Sequence, residues 1–598
     1  MRRSLCITLR IFLVLVLALS FLAGANKPVQ AVDCTWEGDV DTDWMKAGNW
    51  TCGHVPGSTD TVNIPVVTNF PVIYTNVDLP TPPVLSLTIE PDAFLTINQG
   101  MALDATTMTV NGTLVANAAS SPIYINFFTP TGEVNVGSTG AITKLGADGL
   151  FIYSAFNNAG TVSGTSLGTY SGGISLIRGG THTGIFQGEY LFVGNNDEAS
   201  GQIFNFNDGS DLYVNQVHAR GGTVNILGTF SPPENFGTYL FVQPTSGTGT
   251  VYFKAGADIL KMPENILINS GGKLILENQT YDHYLPKMYL ENNSELQNLG
   301  NLHITTQILL YGGKISGIGM TTVESPAVFT IGVSTSSGFT LDIQTLINNS
   351  TANWNSKNIT LSNGAEIINN GTFNANATTT MTGGDTEVFT NNSSFIKNTA
   401  GTTTTMNIPF TNNGTVDVVA GSLVFQQGMD NGENAVIDLG GGTLDPGDEL
   451  ILESGDSLIG SGTLAADLVN GGTVSPGNSA GIITIDGDYT QTADGVLEIQ
   501  LGGTNAATPE FDQLIVTGFA TLSGTLKITL LPDFTPQAGD SFFIVNHLTS
   551  GTGNFTVENL PDLPGGLTFE IDYADPGVTL TVVSGSTETF IFLPMIVR

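Results

Sequence analysis

Gly477-Asn478-Ser479-Ala480-Gly481 fits the pattern G-x-S-x-G, the spacing that lifts a nucleophilic serine onto a strained turn between a strand and a helix. His547 follows downstream with several aspartates in between, so hydrolysis through an activated serine is the first chemistry to weigh. The flanking residues argue against it. After Gly481 the chain reads "IITIDGDYTQ", alternating as a strand does with no helical period, and Pro476 and Asn478 are turn formers. Ser479 is expected to occupy a turn, not a nucleophile elbow.

Two other chemistries have candidates. Abstracting a proton beside a uronate carboxylate needs a cation to hold that carboxylate and a basic side chain to take the proton. Arg178 and Arg220 are the only arginines of the central region, and each has a histidine near it in sequence, His182 and His218. Glycoside hydrolysis needs two carboxylates at a set separation. Asp197-Glu198, Asp208-Gly209-Ser210-Asp211 and Asp445-Pro446-Gly447-Asp448-Glu449 supply acids. Lone surface cations and acidic turns are the plainer readings of both sets, and no catalytic residue is assigned. Asp39, Asp41 and Asp43 alternate like the start of an EF-hand loop, but the glycine at position six and the closing glutamate are missing. With Asp208 and Asp211 in "NFNDGSD" they are the candidates for structural Ca²⁺, solvated turns being the simpler alternative; no other cofactor is implied. Histidines 54, 283, 303 and 547 stand isolated along the chain.

The N-terminus sets the compartment. Arg2, Arg3 and Arg10 precede or begin the apolar run "IFLVLVLALSFLAG", and Val29-Gln30-Ala31 supplies a small-residue cleavage site, the layout of a secretory signal peptide. No second long apolar run appears downstream, so no integral membrane span is expected in the mature chain. Cleavage after residue 31 removes four bases and no acid, leaving 13 bases against 53 acids and a net charge of −40 in place of −36. Such a chain repels nucleic acid, anionic lipid and polyanionic polysaccharide, which leaves an extracellular glycan or another cell-surface component as the class of partner. Cys34 and Cys52 remain as a pair once Cys6 leaves with the signal, and in an exported chain a disulfide is expected between them in preference to a metal site.

The elements that must position these groups are nearly all strands. Gly, Thr, Asn, Ser and Val abound, and short alternating runs are broken by Asn-Gly, Gly-Gly and Gly-Thr, as in "MTVNGTLVAN" and "GGKLILENQT". Turn glycines able to take positive φ are expected between the strands. An Asn/Gly-Gly-Thr-aliphatic unit recurs at Gly112, Gly371, Gly414, Gly442 and Gly472, with 43 residues between Gly371 and Gly414, close to two solenoid turns. The fold class expected is all-β, a right-handed parallel β-helix with Val, Leu, Ile and Phe inward and Thr, Asn and Ser outward. Asn369-Asn370, Asn391-Asn392 and Asn412-Asn413 are expected to form ladders at stacked corners. The divisions are a signal peptide (1–31), an N-terminal cap with three tryptophans and the cysteine pair (32–85), β-helix repeats (86–470), a C-terminal β module (471–585) and a sorting-like tail (586–598).

Two segments carry resemblances. "TWEGDVDTDWMKAGNWTCGHVPGSTDTVNIP" (35–65) resembles the opening of exported bacterial β-helix proteins in its W-x-G start, later N-W, G-x-P turn and D-x-V-x-I. "GGTVSPGNSAGIITIDGDYTQTADGVLEIQLGG" through "FDQLIVTGFATLSGTLKITLL" (471–531) resembles the passenger-associated module of autotransporter adhesins, sharing its S-P-G-N-S-x-G turn and the strands after it. That resemblance implies a passenger-like fold and a surface or matrix role, adhesive or structural. The translocator barrel is not seen before Arg598, so self-translocation is not implied. The alternative is a carbohydrate-active enzyme, lyase or glycosidase, on the same scaffold.

Overall fold

The computed structural model describes residues 30–74, 84–127, 130–164, 173–194, 202–232, 237–244, 248–259, 261–277, 282–332, 337–477, 480–506, 508–574 and 576–585. The signal peptide, except for its last two residues, and the 586–598 tail lie outside the described residues, as do Asp197, Glu198 and Ser479. Strands dominate; among the described residues the only helical segments are two three-residue 3-10 turns. The chain forms two compact units, Met1–Val214 and Asn215–Arg598.

In the first unit strands stack in three parallel columns. One runs through Thr61–Ile64, Val84–Ile89, Ala105–Val110, Glu133–Val136 and Ala155–Asn158. The second runs through Phe94–Asn98, Thr113–Asn117, Ala141–Leu145 and Thr161–Gly164, and the third through Ala102–Leu103, Ile123–Ile125, Leu150–Ile152 and Ile174–Leu176. The second unit repeats the plan: Phe339–Asp342 pairs with Ile359–Ser362, Thr345–Asn348 with Glu366–Asn369, and Thr351–Trp354 with Thr372–Ala375, all parallel. This is the parallel β-solenoid that the alternating runs predict. Side chains alternate about each strand, so Thr372–Ala375 buries Phe373 and Ala375 and leaves Thr372 and Asn374 outward. Stacking then brings like on like inside: Phe373 lies parallel to Phe395 at 5.5 Å, and Phe389 parallel to Phe410 at 5.2 Å.

The segment that resembles a passenger module continues these columns. Thr473–Pro476 and Ile482–Ile485 stack on Ser457–Leu464, and Gln513–Val516 stacks in turn on Ile482–Ile485. The pattern changes at Ser541–His547, which pairs antiparallel with Gly577–Ser584, itself antiparallel to Leu567–Asp572. That hairpin covers a parallel edge that would otherwise offer free N–H and C=O groups.

The expectation of positive φ at the Asn-Gly-Thr corners needs correcting. Gly112, Gly371 and Gly414 are absent from the positive-φ glycines. Their glycine is required because the coil below comes too close: a Cβ would lie 2.1 Å from the Ser350 carbonyl oxygen at Gly371 and 2.2 Å from that of Ser393 at Gly414. The corner asparagines form the expected ladders, and there are two. Inside, Asn348, Asn369, Asn391 and Asn412 are fully buried, each amide nitrogen donating to the next amide oxygen at 2.8, 2.8 and 3.0 Å. The same nitrogens cap main-chain carbonyls, Asn391 reaching Thr415 at 3.0 Å. Outside, Asn349, Asn370, Asn392 and Asn413 form a parallel ladder at 3.0, 2.9 and 2.9 Å.

Burial separates the two ladders energetically. Asn391→Ala orphans buried groups on both neighbouring coils and is expected to cost about 1–3 kcal/mol for each group left unsatisfied. Asn392→Ala opens its partners to water and is expected to stay within about 0.5 kcal/mol. Thermal melting of the two variants checks this; equal losses would show that burial of the ladder does not matter.

Candidate functional site

The N-terminal residues singled out by sequence are taken up by structure. Trp36, Trp44 and Trp50 are buried and pack edge to face, with centroids 4.9 Å (Trp36–Trp50) and 4.7 Å (Trp44–Trp50) apart. The Trp36 indole N–H donates to the Asn69 carbonyl at 2.6 Å and that of Trp50 to the Trp44 carbonyl at 2.8 Å. Cys34 and Cys52 are joined by a disulfide across a Cα separation of 4.9 Å. Beside it, His54 Nε2 lies 3.0 Å from Asp60 Oδ2. Among the described residues, Cys34, Cys52 and His54 are the one trio of His, Cys, Asp or Glu whose ligand atoms converge, within 4.8 Å, but the sulfurs are bonded to each other.

Asp39 is exposed, while Asp41 and Asp43 fold the loop. Asp41 accepts from the Asp43 N–H at 2.9 Å and the Asn49 amide at 3.1 Å and pairs with Lys46. The Lys46 ammonium, followed by that N–H, holds its carboxyl down at about 2. Asp43 accepts from the Met45 N–H at 3.0 Å. Asp208 sits exposed in the turn closed by the Ser210 N–H on the Asn207 carbonyl at 3.0 Å, and Asp211 beyond it is half-buried.

The cationic candidates fall into different surroundings. Arg178 is half-buried in the first unit and Arg220 half-buried in the second. Their neighbouring histidines are both buried, His182 on the inward side of its strand and His218 on the outward side, in register with Phe241 and between inward Val217 and Ala219. His182 is fully buried with both ring nitrogens unpartnered, packed on Phe206 at 4.6 Å and Phe186 at 5.0 Å. Burial holds it neutral, its pKa pushed down to about 3. His218 stacks on Phe241 at 4.3 Å and is likewise pushed down to about 3, by burial and then by Arg220. Of the acids in "DPGDE", Asp445 closes a turn by accepting from the Gly447 N–H at 3.0 Å, and Asp448 and Glu449 are exposed.

Sequence inspection passed over His303. In the structure its Nδ1 lies 2.7 Å from Glu324 Oε1 and its Nε2 3.8 Å from Asp282 Oδ2, with Tyr284 stacked on the ring at 4.8 Å. Asn349 donates to the same glutamate at 3.3 Å and lines an open polar trough of about 510 Å³ with Ser325, Ser350, Thr351 and Asn353. Both imidazole nitrogens face carboxylates, so neither is aimed into the trough. The coils here repeat at 19 residues, setting His303 against Tyr284 and Thr322, and Asp282 and Glu324 each lie two residues along the chain from those counterparts.

Around the G-x-S-x-G turn, Gly477 forms an isolated bridge to Gly460, and the chain after Gly481 enters the strand Ile482–Ile485. A nucleophile elbow requires a helix there. Against Gly481 lies Asp512, fully buried: its Oδ1 accepts from the Gly481 N–H at 2.9 Å and its Oδ2 from the Gln500 N–H at 2.8 Å. Burial outweighs those two bonds and pushes its pKa up to about 7. Asp417 and Asp438 face each other in register on adjacent coils; both are shifted upward by burial, Asp417 further by the charge of Asp438.

Comparisons with known proteins add little. Residues 35–164 match a family model described as a domain of unknown function (DUF8693). No curated protein matches the chain. Among solved structures, the Haemophilus influenzae Hap adhesin is similar with a TM-score of 0.34 and 13% identity, over 88% of this chain and 64% of that one. This chain thus spans less than two thirds of that adhesin's length, and a likeness this slight transfers no function.

The raised carboxyls set a direction with pH. A carboxyl whose folded pKa lies above its unfolded value binds its proton more tightly when folded. The stability it contributes is present below the unfolded value, near 3.8 for Asp512, and is lost as pH rises through about 7. The second unit is therefore expected to melt lower at pH 8 than at pH 5, and Asp512→Asn to flatten that slope. Asp438→Asn removes a like charge and is expected to raise the midpoint at neutral pH. Melting curves across the range check both; an unchanged slope in Asp512→Asn would remove the carboxyl from the account.

Proposed function

We propose that this chain is an exported surface or matrix protein, adhesive or structural, that acts by presenting the outward face of its β-solenoid. The observation that carries the proposal is the repetition of that face. Asn349, Asn370, Asn392 and Asn413 form one outward ladder, Asn353–Asn374 and Asn355–Asn376 begin others at 3.0 Å, and Lys273–Glu295 and Lys314–Asp342 form ion pairs across strands. Side chains locked to their counterparts on the next coil make a rigid, periodic surface, suited to contact with an extended partner. The export signal read in residues 1–31 supports a location outside the cell. No helix among the described residues is long and apolar enough to cross a membrane.

The competing enzyme would draw on Asp417 and Asp438, since retaining glycosidases use carboxyls about 5 Å apart and these face each other in register. The deciding experiment assays the purified mature protein on a polysaccharide panel, with and without Ca²⁺, while the producing cells are surface-labelled. Label on the protein without glycan turnover is the expected result. Turnover that Asp438→Asn abolishes would establish the enzyme, and a protein found only inside the cell would end the export proposal.

A further inference from the structure

Tyr124, Phe127, Phe151 and Tyr153 break the outward pattern of Thr, Asn and Ser. Tyr124 lies on Ile123–Ile125 and Phe151 on Leu150–Ile152, in register with each other. Their strand neighbours Ile123, Ile125, Leu150 and Ile152 are fully buried, so the two rings face outward. Phe127 is 45% exposed, and Tyr124, Phe151 and Tyr153 are half-buried. The rings form one platform: Tyr124 lies nearly parallel to Phe151 at 5.6 Å, Phe127 meets Tyr153 edge-on at 5.0 Å, and Tyr124 contacts Phe127 at 5.5 Å. The platform is braced from beneath. Buried Asn126, with φ at +54°, accepts from the Ala105 N–H at 2.8 Å and donates to Ser154 Oγ at 2.9 Å. One amide thus anchors both the turn bearing Phe127 and the residue after Tyr153.

We propose that this aromatic face of the first unit is a binding site for a neutral glycan, a sugar ring of which packs against the exposed Phe127 ring beside the stacked Tyr124–Phe151 pair. It rests on the display role proposed above and names a partner for it. Exposed apolar rings gathered in one place mark an interaction site. Four half-exposed rings offer on the order of a few hundred Å², against about 800 Å² per partner in a stable protein interface, so the surface suits one or two small rings and not a protein. The charge of −36 disfavours anionic lipid and acidic polysaccharide. An uncharged sugar matches what remains, with its C–H face on the aromatic rings and its hydroxyls within reach of the tyrosine hydroxyls and water.

The test titrates the full mature chain with cellohexaose, chitohexaose, laminarihexaose and maltohexaose by calorimetry, with polygalacturonate as the anionic control. At least one neutral hexamer is expected to bind and polygalacturonate not to. The double variant Tyr124→Ala/Phe151→Ala is expected to lose about tenfold or more in affinity, while Tyr124→Phe and Phe151→Tyr, which keep both rings, stay within about threefold. Hydroxyl-radical footprinting of the unmodified protein is expected to show these rings protected by the bound hexamer, a readout that holds even if the double variant misfolds. Absence of binding by every neutral hexamer, unchanged affinity in the folded double variant, or unprotected rings would overturn the proposal. So would rings that are instead covered by neutral phosphatidylcholine vesicles or by self-association seen in sedimentation. A surface-labelled protein that ignores all four hexamers defeats this site alone, whereas glycan turnover or retention inside the cell defeats the display role.

Discussion

Parallel pairing of each coil with the next is the constraint on which everything else in this chain depends. Backbone hydrogen bonds hold adjacent strands ~4.8 Å apart, and every side chain is thereby placed over its counterpart one coil away. Inside, that places Phe373 against Phe395 and Asn391 between Asn369 and Asn412. At the corners it leaves no room for a Cβ above the Ser350 and Ser393 carbonyls. Gly371 and Gly414 therefore reflect close approach and not turn conformation. The asparagine preceding each corner has a related cause: only a side chain carrying both donor and acceptor can bond its own copy above and below while capping a carbonyl.

The same geometry explains which buried polar groups persist. A polar atom taken from water costs free energy unless it finds partners. Asn348, Asn369, Asn391 and Asn412 find them in one another, and Asp512 finds two N–H groups where the turn around Gly477–Gly481 leaves the regular ladder. Asp512 thus ties the Gly481 and Gln500 main chains together, which gives a fully buried acid two hydrogen-bond partners. His182 shows the opposite solution. With no partner for either nitrogen, it stays neutral and is packed as one more ring among Phe156, Phe186 and Phe206.

The fold was legible because its cause is local and repeated. Alternation in "MTVNGTLVAN", the recurring Asn-Gly-Thr corners and the paired asparagines each state the same coil in a few residues. The tryptophan cluster and the cysteine pair were legible by composition alone. Illegible were the features that depend on register between coils. Asp282, His303 and Glu324 look unrelated until strand pairing sets His303 against Tyr284 and Thr322, two residues from each acid, and Asp512 lies too far in sequence from Gly481 to suggest contact. Tyr124 and Phe151 are likewise 27 residues apart, and nothing local marks either as outward; only the pairing of their strands does. The motif that does stand out, G-x-S-x-G, misleads because its five letters do not say whether the turn leads into a helix or a strand.

Register also bears on what such a scaffold does well. A reaction centre gathers an acid, a base and a binding group from different directions around one reacting atom. A solenoid brings together residues of one column, which are like neighbours in a row, and it tends to pair them off: Lys273 with Glu295, Lys314 with Asp342, Asn353 with Asn374. Groups so paired have little left for a substrate, but as a row they form a ruled surface on which an extended partner can lie in register. The aromatic face of the first unit obeys the same logic with a different side chain. Strand pairing stacks Tyr124 on Phe151 and so gathers the rings into one patch, which gives the proposed display role and the proposed glycan site one physical origin in the pairing of coils.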